Sequence, residues 1–322
     1  METFRWAYVG SGSIAGNTAR SIVKGDHAIS AVYSRNQDTA AAFAAKYHAA
    51  VYPTFEALLA ARDFDGVYIA TPHTAHLDYA LQALRAGCPV LCEKPAGVSA
   101  AQASQMLQAS RDNQVYFCEV MWTWFSDLPY MIRQWIEEGR IGSVRRVQMA
   151  YAFPGLLAGK DSRLLRPETA GGALLDIGVY PITYCYRLFG YPASIRCSGR
   201  IRNGIDAAET VVLGYDGFEC RLELSLLKLR ERCRIIGTKG RIDVPLFHMA
   251  SAATLKSQGK RETVQGRTDY LTEFTRAAEE IRSGRIDSAF VPQQATLDCL
   301  RIMDACRQQM GLIYPFETQT KE

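Results

Sequence analysis

Short, nearly continuous apolar runs alternate with longer amphipathic stretches through the first third of the chain. The runs are Trp6 to Val9, Ile29 to Tyr33, Gly66 to Ala70, Pro89 to Cys92 and Val115 to Val120. Strands covered on both faces read this way. Between them, the pattern predicts helices from the first glycine turn to about Lys24, from Asp38 to Tyr47, Ala75 to Ala86 and Ala100 to Arg111. Such alternation predicts a doubly wound parallel sheet. After about Trp122 the pattern changes. A helix near Pro129 to Glu138 precedes a β-rich region that is interrupted by one helix opening at Gly171-Gly172. Strand-like runs at Ser194 to Arg200, Glu209 to Tyr215, Phe218 to Leu226, Cys233 to Ile236 and Gly240 to Val244 follow in hairpin-like succession. They predict an open, largely antiparallel sheet in an α+β domain. Helices from Asp269 to Ser283 and Pro292 to Met310 close the chain. The expected organisation is therefore α/β, with a first domain over residues 1–121 and a second over 122–322.

Composition narrows the function. The chain has 322 residues, 48% hydrophobic and 22% charged, with a formal charge of +4. That small charge and the absence of a long basic run argue against nucleic acid or membrane partners and favour small-molecule chemistry. No segment approaches the roughly 20 apolar residues a bilayer requires, and the first residues lead into a strand rather than a leader, so a cytoplasmic location is expected. Nine cysteines form an odd set without zinc-ligand spacing, several of them in apolar runs, so reduced thiols and no metal are expected.

The first strand runs into Gly10-Ser11-Gly12-Ser13-Ile14-Ala15. In this setting Gly10 suits a tight turn, Gly12 a close approach of pyrophosphate, and Ala15 close helix packing, with phosphate at the helix N-terminus. The second strand ends in Ser34-Arg35, where an NAD site usually places an acid on the ribose. A hydroxyl and a guanidinium there suit a 2′-phosphate, so NADP is preferred and NAD remains possible. Thr71-Pro72-His73 and His76 follow a strand end on the same sheet edge and are expected beside the cofactor, as are Glu93 and Lys94. Lys94 ends the apolar run before Pro95, where an amine reaches the nicotinamide end of a dinucleotide. Asp176 and Tyr180 stand at i and i+4 and should share one helix face. An ammonium favours the phenolate, which makes Lys94 the partner for an acid–base Tyr180, with Asp176 fixing and balancing the lysine. Trp122, Trp124, Tyr151 and Phe153 are candidates for an aromatic wall, on the argument that alternate residues of extended chain share a face; Trp122 and Phe153 are retained as substrate contacts. Arg163 and Arg166 could anchor a substrate anion.

Gly10-Ser-Gly12, Ala70-Thr-Pro72, Glu93-Lys94-Pro95 and the stretch from Gly171-Gly172 through Asp176 to Tyr180 together resemble the Gfo/Idh/MocA oxidoreductases, over nearly the whole chain. Glu119-Val-Met-Trp122-Thr and Gly237-Thr-Lys-Gly240 are similar to stretches of the dihydrodiol and NADP-xylose dehydrogenase branch. Many other members of the family carry histidine at the position of Tyr180, which makes inositol dehydrogenase the poorer match. The resemblance implies a Rossmann domain, an open-faced sheet that often forms a homodimer or higher oligomer, Lys94 and Tyr180 as the catalytic pair, NADP(H), and a sugar, cyclic polyol or dihydrodiol substrate. Branch members tend to have arginine after the Trp-Thr pair, whereas this chain has Trp124. Two other readings use the same fold: a non-catalytic sensor of NAD(P) and sugar, and a glycosidase that works through transient oxidation.

Overall fold

The apolar runs of the first part become a parallel sheet built from β1 (Phe4–Val9), β2 (His27–Tyr33), β3 (Ala50–Val51), β4 (Gly66–Ile69), β5 (Val90–Glu93) and β6 (Phe117–Val120), in the order β3-β2-β1-β4-β5-β6. The computed structural model describes residues 2–159, 162–267 and 269–318. All four residues of β4, β5 and β6 are buried, as strands covered on both faces require. The crossovers are α1 (Ser13–Ile22), α2 (Gln37–Tyr47), α3 (Phe55–Ala61), α4 (His76–Arg85) and α5 (Ala100–Asn113). β3 and α3 carry no strong pattern in the sequence. β3 has only two residues, both exposed, and α3 is set by its ends: Thr54 accepts from the Ala57 N–H at the start, and Arg62 turns left-handed at φ 54° to stop it.

The first compact unit comprises Met1–Phe125 and Asp269–Leu297, and the second Ser126–Thr268 and Asp298–Glu322. The sequence-based division at residues 121 and 122 thus moves a few residues, and a distant segment returns to the first unit. That segment includes α8 (Tyr270–Arg282), whose Phe274 ring packs edge-on against Trp6 at 5.0 Å and Tyr68 at 4.9 Å. The amphipathic face of α8 is visible in the sequence, but the sheet it covers is not.

The second unit holds α6 (Leu128–Glu137), α7 (Val179–Phe189) and an eight-stranded sheet. Its strands are β7 (Val144–Ala152), β8 (Ser194–Arg202), β9 (Ile205–Tyr215), β10 (Phe218–Ser225), β11 (Arg230–Gly237), β12 (Gly240–Pro245), β13 (Ala252–Ser257) and β14 (Lys260–Gln265). The order is β14-β13-β12-β11-β7-β10-β9-β8. Hairpin succession would pair β10 with β11. Instead β7 lies between them, antiparallel to β11 and parallel to β10, which makes the sheet mixed, though mostly antiparallel. The parallel pair joins strands far apart in sequence, so no local turn signal announces it. A long helix, α9 (Gln293–Met310), contains the final boundary between the units, and a short α10 (Pro315–Thr318) follows it. No helix among the described residues is long and apolar enough to cross a membrane.

Candidate active site

In the first unit, Gly10 has φ +103°, and a Cβ there would sit 2.8 Å from the Ala70 carbonyl oxygen, so glycine is needed to join β1 to α1 beside β4. A Cβ on Gly12 would meet nothing within 4 Å, which leaves its backbone open to approach. Gly12 is the N-cap of α1 without any side-chain cap, and no acid occupies the first turn, where Ser13 and Ile14 lie. The first N–H groups and the positive end of the helix therefore suit a phosphate. Gly10 and Gly12 line a cleft of about 290 Å³ together with Ser11, Ser34, Arg35, Thr71 and Pro72. Asn36 caps α2 by accepting from the Thr39 N–H at 3.0 Å, so Arg35 is not needed as a cap. The uncapped helix and the open glycine fit the pyrophosphate of a dinucleotide.

The Glu93–Ala96 turn at the carboxyl end of β5 is tied down on several sides. The Tyr68 hydroxyl donates to Glu93 Oε1 at 2.5 Å, and the Ala96 N–H donates to Glu119 Oε1 at 2.9 Å. Thr296 Oγ1 donates to the second Glu119 oxygen at 2.9 Å. The His76 ring is wholly buried, its nitrogens 3.0 Å from the Pro95 carbonyl and 2.8 Å from the Thr71 carbonyl. It joins the Thr71-Pro72 turn to the lysine turn. His73, 2% exposed, is buried beside His76 with ring centroids 5.9 Å apart. Lys94 itself is half-buried, and its peptide bond to Pro95 is cis. Burial pushes the Glu119 carboxyl up to about 7, against hydrogen bonds from Ala96 and Thr296 and the charge of Lys94.

Trp122 to Trp124 form a 3-10 turn, not extended chain, so the two indoles do not share a face as expected. Trp124 joins the core, whereas the Trp122 ring stacks on Tyr270 at 5.1 Å. Burial raises the Tyr270 phenol to about 12, with Glu273 and Glu93 adding to the rise and Lys94 opposing it. Glu119 and Tyr270 belong to the surroundings of Lys94, although sequence reasoning gave neither a role. A carboxylate inside the apolar run Phe117 to Val120 was a usable signal for Glu119. Tyr270 had none, because it returns from a distant segment.

In the second unit, Asp176 and Tyr180 do not follow one regular α-helix. Leu174–Gly178 make a π-turn before α7 begins at Val179. Pro181 explains it: proline has no N–H for the Ile177 carbonyl and its ring crowds that oxygen, so the regular ladder fails just before it. Gly178 adds to this, since a Cβ there would press on Leu224 of β10 at 2.6 Å. The start of this segment is equally specified. Gly171 and Gly172 donate to the Arg166 and Leu164 carbonyls at 2.9 and 3.0 Å. Asp206 Oδ2 accepts from the Leu174 N–H at 2.6 Å, and any side chain on Gly172, at φ +128°, would overlap the same carboxylate. The glycine pair thus draws the Arg163–Arg166 loop against the helix start. Arg163 then donates to Asp176 at 2.8 Å, so it neutralises that acid within the second unit, while Arg166 is exposed. Lys94, the expected partner of Asp176, belongs to the first unit.

Around Tyr180 the second unit supplies further rings. Tyr151 lies 5.8 Å from Tyr180 and stacks on His248 at 4.6 Å, and His248 is 5.5 Å from Tyr180. Phe153, just beyond β7, is half-buried and its N–H donates to the Ser225 carbonyl. His248 was not anticipated; a single histidine in a loop has no spacing that marks it. No group of side chains suited to a metal is found among the described residues.

Comparison with known proteins agrees with this fold. Residues 4–120 match an oxidoreductase family with an NAD-binding Rossmann fold, and residues 131–243 match the GFO/IDH/MocA C-terminal domain. The NADP(+)-dependent scyllo-inositol 2-dehydrogenase of Bacillus subtilis is 32% identical, covering 90% of this chain and 92% of its own. The trans-1,2-dihydrobenzene-1,2-diol dehydrogenase of Mus musculus is 29% identical over 97% of this chain and 98% of its own. The expectation that inositol dehydrogenases match less well therefore does not hold for the bacterial relative. KijD10, a 3-ketoreductase from Actinomadura kijaniata solved with NADP and TDP-benzene, shares the fold with a TM-score of 0.88 at 21% identity, covering 96% of this chain and 98% of that one. With both halves matched in order along nearly its whole length, the chain belongs to the Gfo/Idh/MocA oxidoreductase family.

Proposed function

We propose that this enzyme is an NADP-dependent dehydrogenase or reductase in which Tyr180 exchanges a proton with a secondary alcohol, lactol or carbonyl of a cyclic polyol, sugar or dihydrodiol. The observation that carries the reading is the Glu93–Ala96 turn, which fixes a lysine at the carboxyl edge of the sheet that forms the glycine-lined cleft. The bound nicotinamide supplies the two-electron chemistry. Gly10, Gly12 and the start of α1 hold the pyrophosphate, and Ser34 and Arg35 hold the ribose 2′-phosphate. In the oxidative direction Tyr180 takes the hydroxyl proton, and in the reductive direction it returns one. Lys94 favours the phenolate and orients the reacting oxygen. Arg163 keeps the charge of Asp176 balanced, and Trp122 and Phe153 are assigned to the ring of the substrate. The relatives support this assignment, since the bacterial one is named for NADP(+) and an inositol, and the mouse one for a dihydrodiol.

One face of the second sheet bears ion pairs such as Arg230 to Glu223 at 3.1 Å and Arg234 to Asp243 at 2.7 Å. We assign that face to a homodimer, to be checked by sedimentation. The cysteines form no disulfide among the described residues, and reduced thiols suit a reducing cytoplasm.

The decisive experiment is turnover of scyllo-inositol, D-xylose and trans-dihydrobenzenediol with NADP(+), alongside fluorescence titration of NADPH. Lys94→Ala and Tyr180→Phe should each lower turnover by roughly a hundredfold or more and leave NADPH binding nearly unchanged. Near-normal turnover in either variant would remove that residue from the mechanism.

A further inference from the structure

β8 is an edge strand of the second sheet, and the last turn of α9 covers part of that edge. The Gln309 amide does so as a neighbouring strand would. Its Oε1 accepts from the Cys197 N–H at 2.7 Å, and its Nε2 donates to the Ile195 carbonyl at 3.0 Å. Two residues further along β8, a Cβ at Gly199 would lie 2.5 Å from Met310 Sδ, so strand and helix are in direct contact. Cys197 alternates onto the same face as Gly199, and Cys306 stands one turn before Gln309 on the same side of α9. The Cys306 thiol therefore reaches Cys197 and donates a hydrogen bond to its sulfur. Of the nine cysteines, eight are buried and Cys197 is half-buried.

That hydrogen bond lowers the Cys197 thiol from its ordinary value, against burial and the charge of Asp206. The same bond raises Cys306, with burial and the nearby Glu209 and Asp206 of β9 adding to the rise. The pair is thus asymmetric: a reachable thiol inclined to ionise lies beside a buried one that keeps its proton. A thiolate nucleophile and its resolving partner require this arrangement. We propose that Cys197 and Cys306 form a modification site, which a hydroperoxide oxidises to a reversible disulfide. The Cys197 thiolate attacks one peroxide oxygen and the O–O bond breaks. Sulfur keeps that oxygen as a sulfenic acid, and the other oxygen takes up the proton Cys197 gave and leaves as water or an alcohol. The Cys306 sulfur then attacks the sulfenic sulfur, the S–O bond breaks, and the hydroxyl departs with the Cys306 proton as water. The two thiols lose two electrons and two protons, and the hydroperoxide gains both. Sulfurs close enough to share a proton need only a short movement to reach the ~2 Å of a disulfide. The two cysteines are far apart in sequence, and only the packing of α9 on β8 makes them a pair. The site is independent of the acid–base reading of Tyr180.

The test treats the reduced enzyme with a few equivalents of hydrogen peroxide, alkylates the remaining thiols and maps the peptides by mass spectrometry. The expected product joins the Cys197 and Cys306 peptides within one chain. It should form roughly tenfold faster than any other cysteine is oxidised, and dithiothreitol should reverse it. In Cys306→Ser, Cys197 should stop at a sulfenic acid that a cyclic 1,3-diketone captures. In Cys197→Ser, the buried Cys306 should stay reduced. Absence of the linked peptide from the parent enzyme overturns the inference, and so does a bond from Cys197 to a second chain. Oxidation of Cys306 in Cys197→Ser at the parent rate overturns it as well, because Cys197 would then not be the thiol that meets the peroxide.

Discussion

Arg35 shows how far a single residue can be interpreted. Its position after β2 is where a ribose-binding acid would stand, and the structure puts it in the cleft wall while Asn36 takes the capping role. A guanidinium there meets a 2′-phosphate with paired, charge-assisted bonds, whereas it offers little to a bare ribose diol. Arg35→Asp should therefore weaken NADPH by about 2–3 kcal/mol and leave NADH unchanged or slightly tighter, measured by fluorescence titration of both cofactors. Equal losses for the two would show that Arg35 supports the loop and not the phosphate. Residues with a local pattern, such as Gly10, Gly12, Arg35 and Lys94, were legible in the sequence because turn geometry and strand ends leave a mark. Glu119, Tyr270 and His248 were not, because their roles depend on which buried neighbours the chain brings to them.

At the scale of elements, spacing alone misleads between Gly171 and Tyr180. An i, i+4 pair implies a shared helical face, but Pro181 withholds a donor and the chain widens into a π-turn that contains Asp176 and runs up to α7. The proline and Gly178 were both visible; their combined effect depends on the close packing against Leu224. The N-terminal end of the same segment is fixed by a carboxylate from β9, on which Gly172 leaves no room for a side chain. Gly172→Ala would impose both a left-handed backbone and an overlap with Asp206, so a loss of about 2–4 kcal/mol is expected. Denaturant unfolding measures it, and a change below about 0.5 kcal/mol would mean that the helix start can shift freely. Because the displaced segment carries Tyr180, turnover should fall at temperatures where the variant remains folded. The strand inventory was also largely legible, whereas the insertion of β7 between β10 and β11 was not, since parallel pairing between distant strands leaves no turn chemistry behind.

The whole molecule carries buried acids in both units, and they share a sign. Burial raises Glu119 to about 7 and Asp206 to about 6, and it raises Glu209 and Glu273 well above the ordinary range, with Asp206 adding to Glu209 and Glu93 adding to Glu273. Each folded carboxyl therefore binds its proton more tightly than the unfolded chain, whose acids titrate near ~4. Their stabilising contribution is complete below that value and is lost as pH rises through about 6 to 7 and above. His27 acts in the opposite sense: burial lowers it, helped by the charge of Arg282, so its contribution fades as pH falls below ~6.5. Asp243 is lowered overall because its bonds to Arg234 and Arg241 outweigh burial, and its contribution fades only in stronger acid. The balance places maximum stability on the acid side of neutrality, near pH ~5 to 6. Calorimetry across pH 5 to 8 should show the melting temperature falling toward alkaline pH. For Glu119, a rise from 4.5 to about 7 corresponds to at most about 3 kcal/mol lost over that range. Glu119→Gln keeps an acceptor for the Ala96 N–H but has nothing to ionise, so its profile should be flatter than that of the parent, and adding Glu209→Gln should flatten it further. A parent enzyme equally stable at pH 5.5 and 8, or variants that reproduce the parent slope, would show that these carboxyls exchange protons with solvent too readily for burial to govern them.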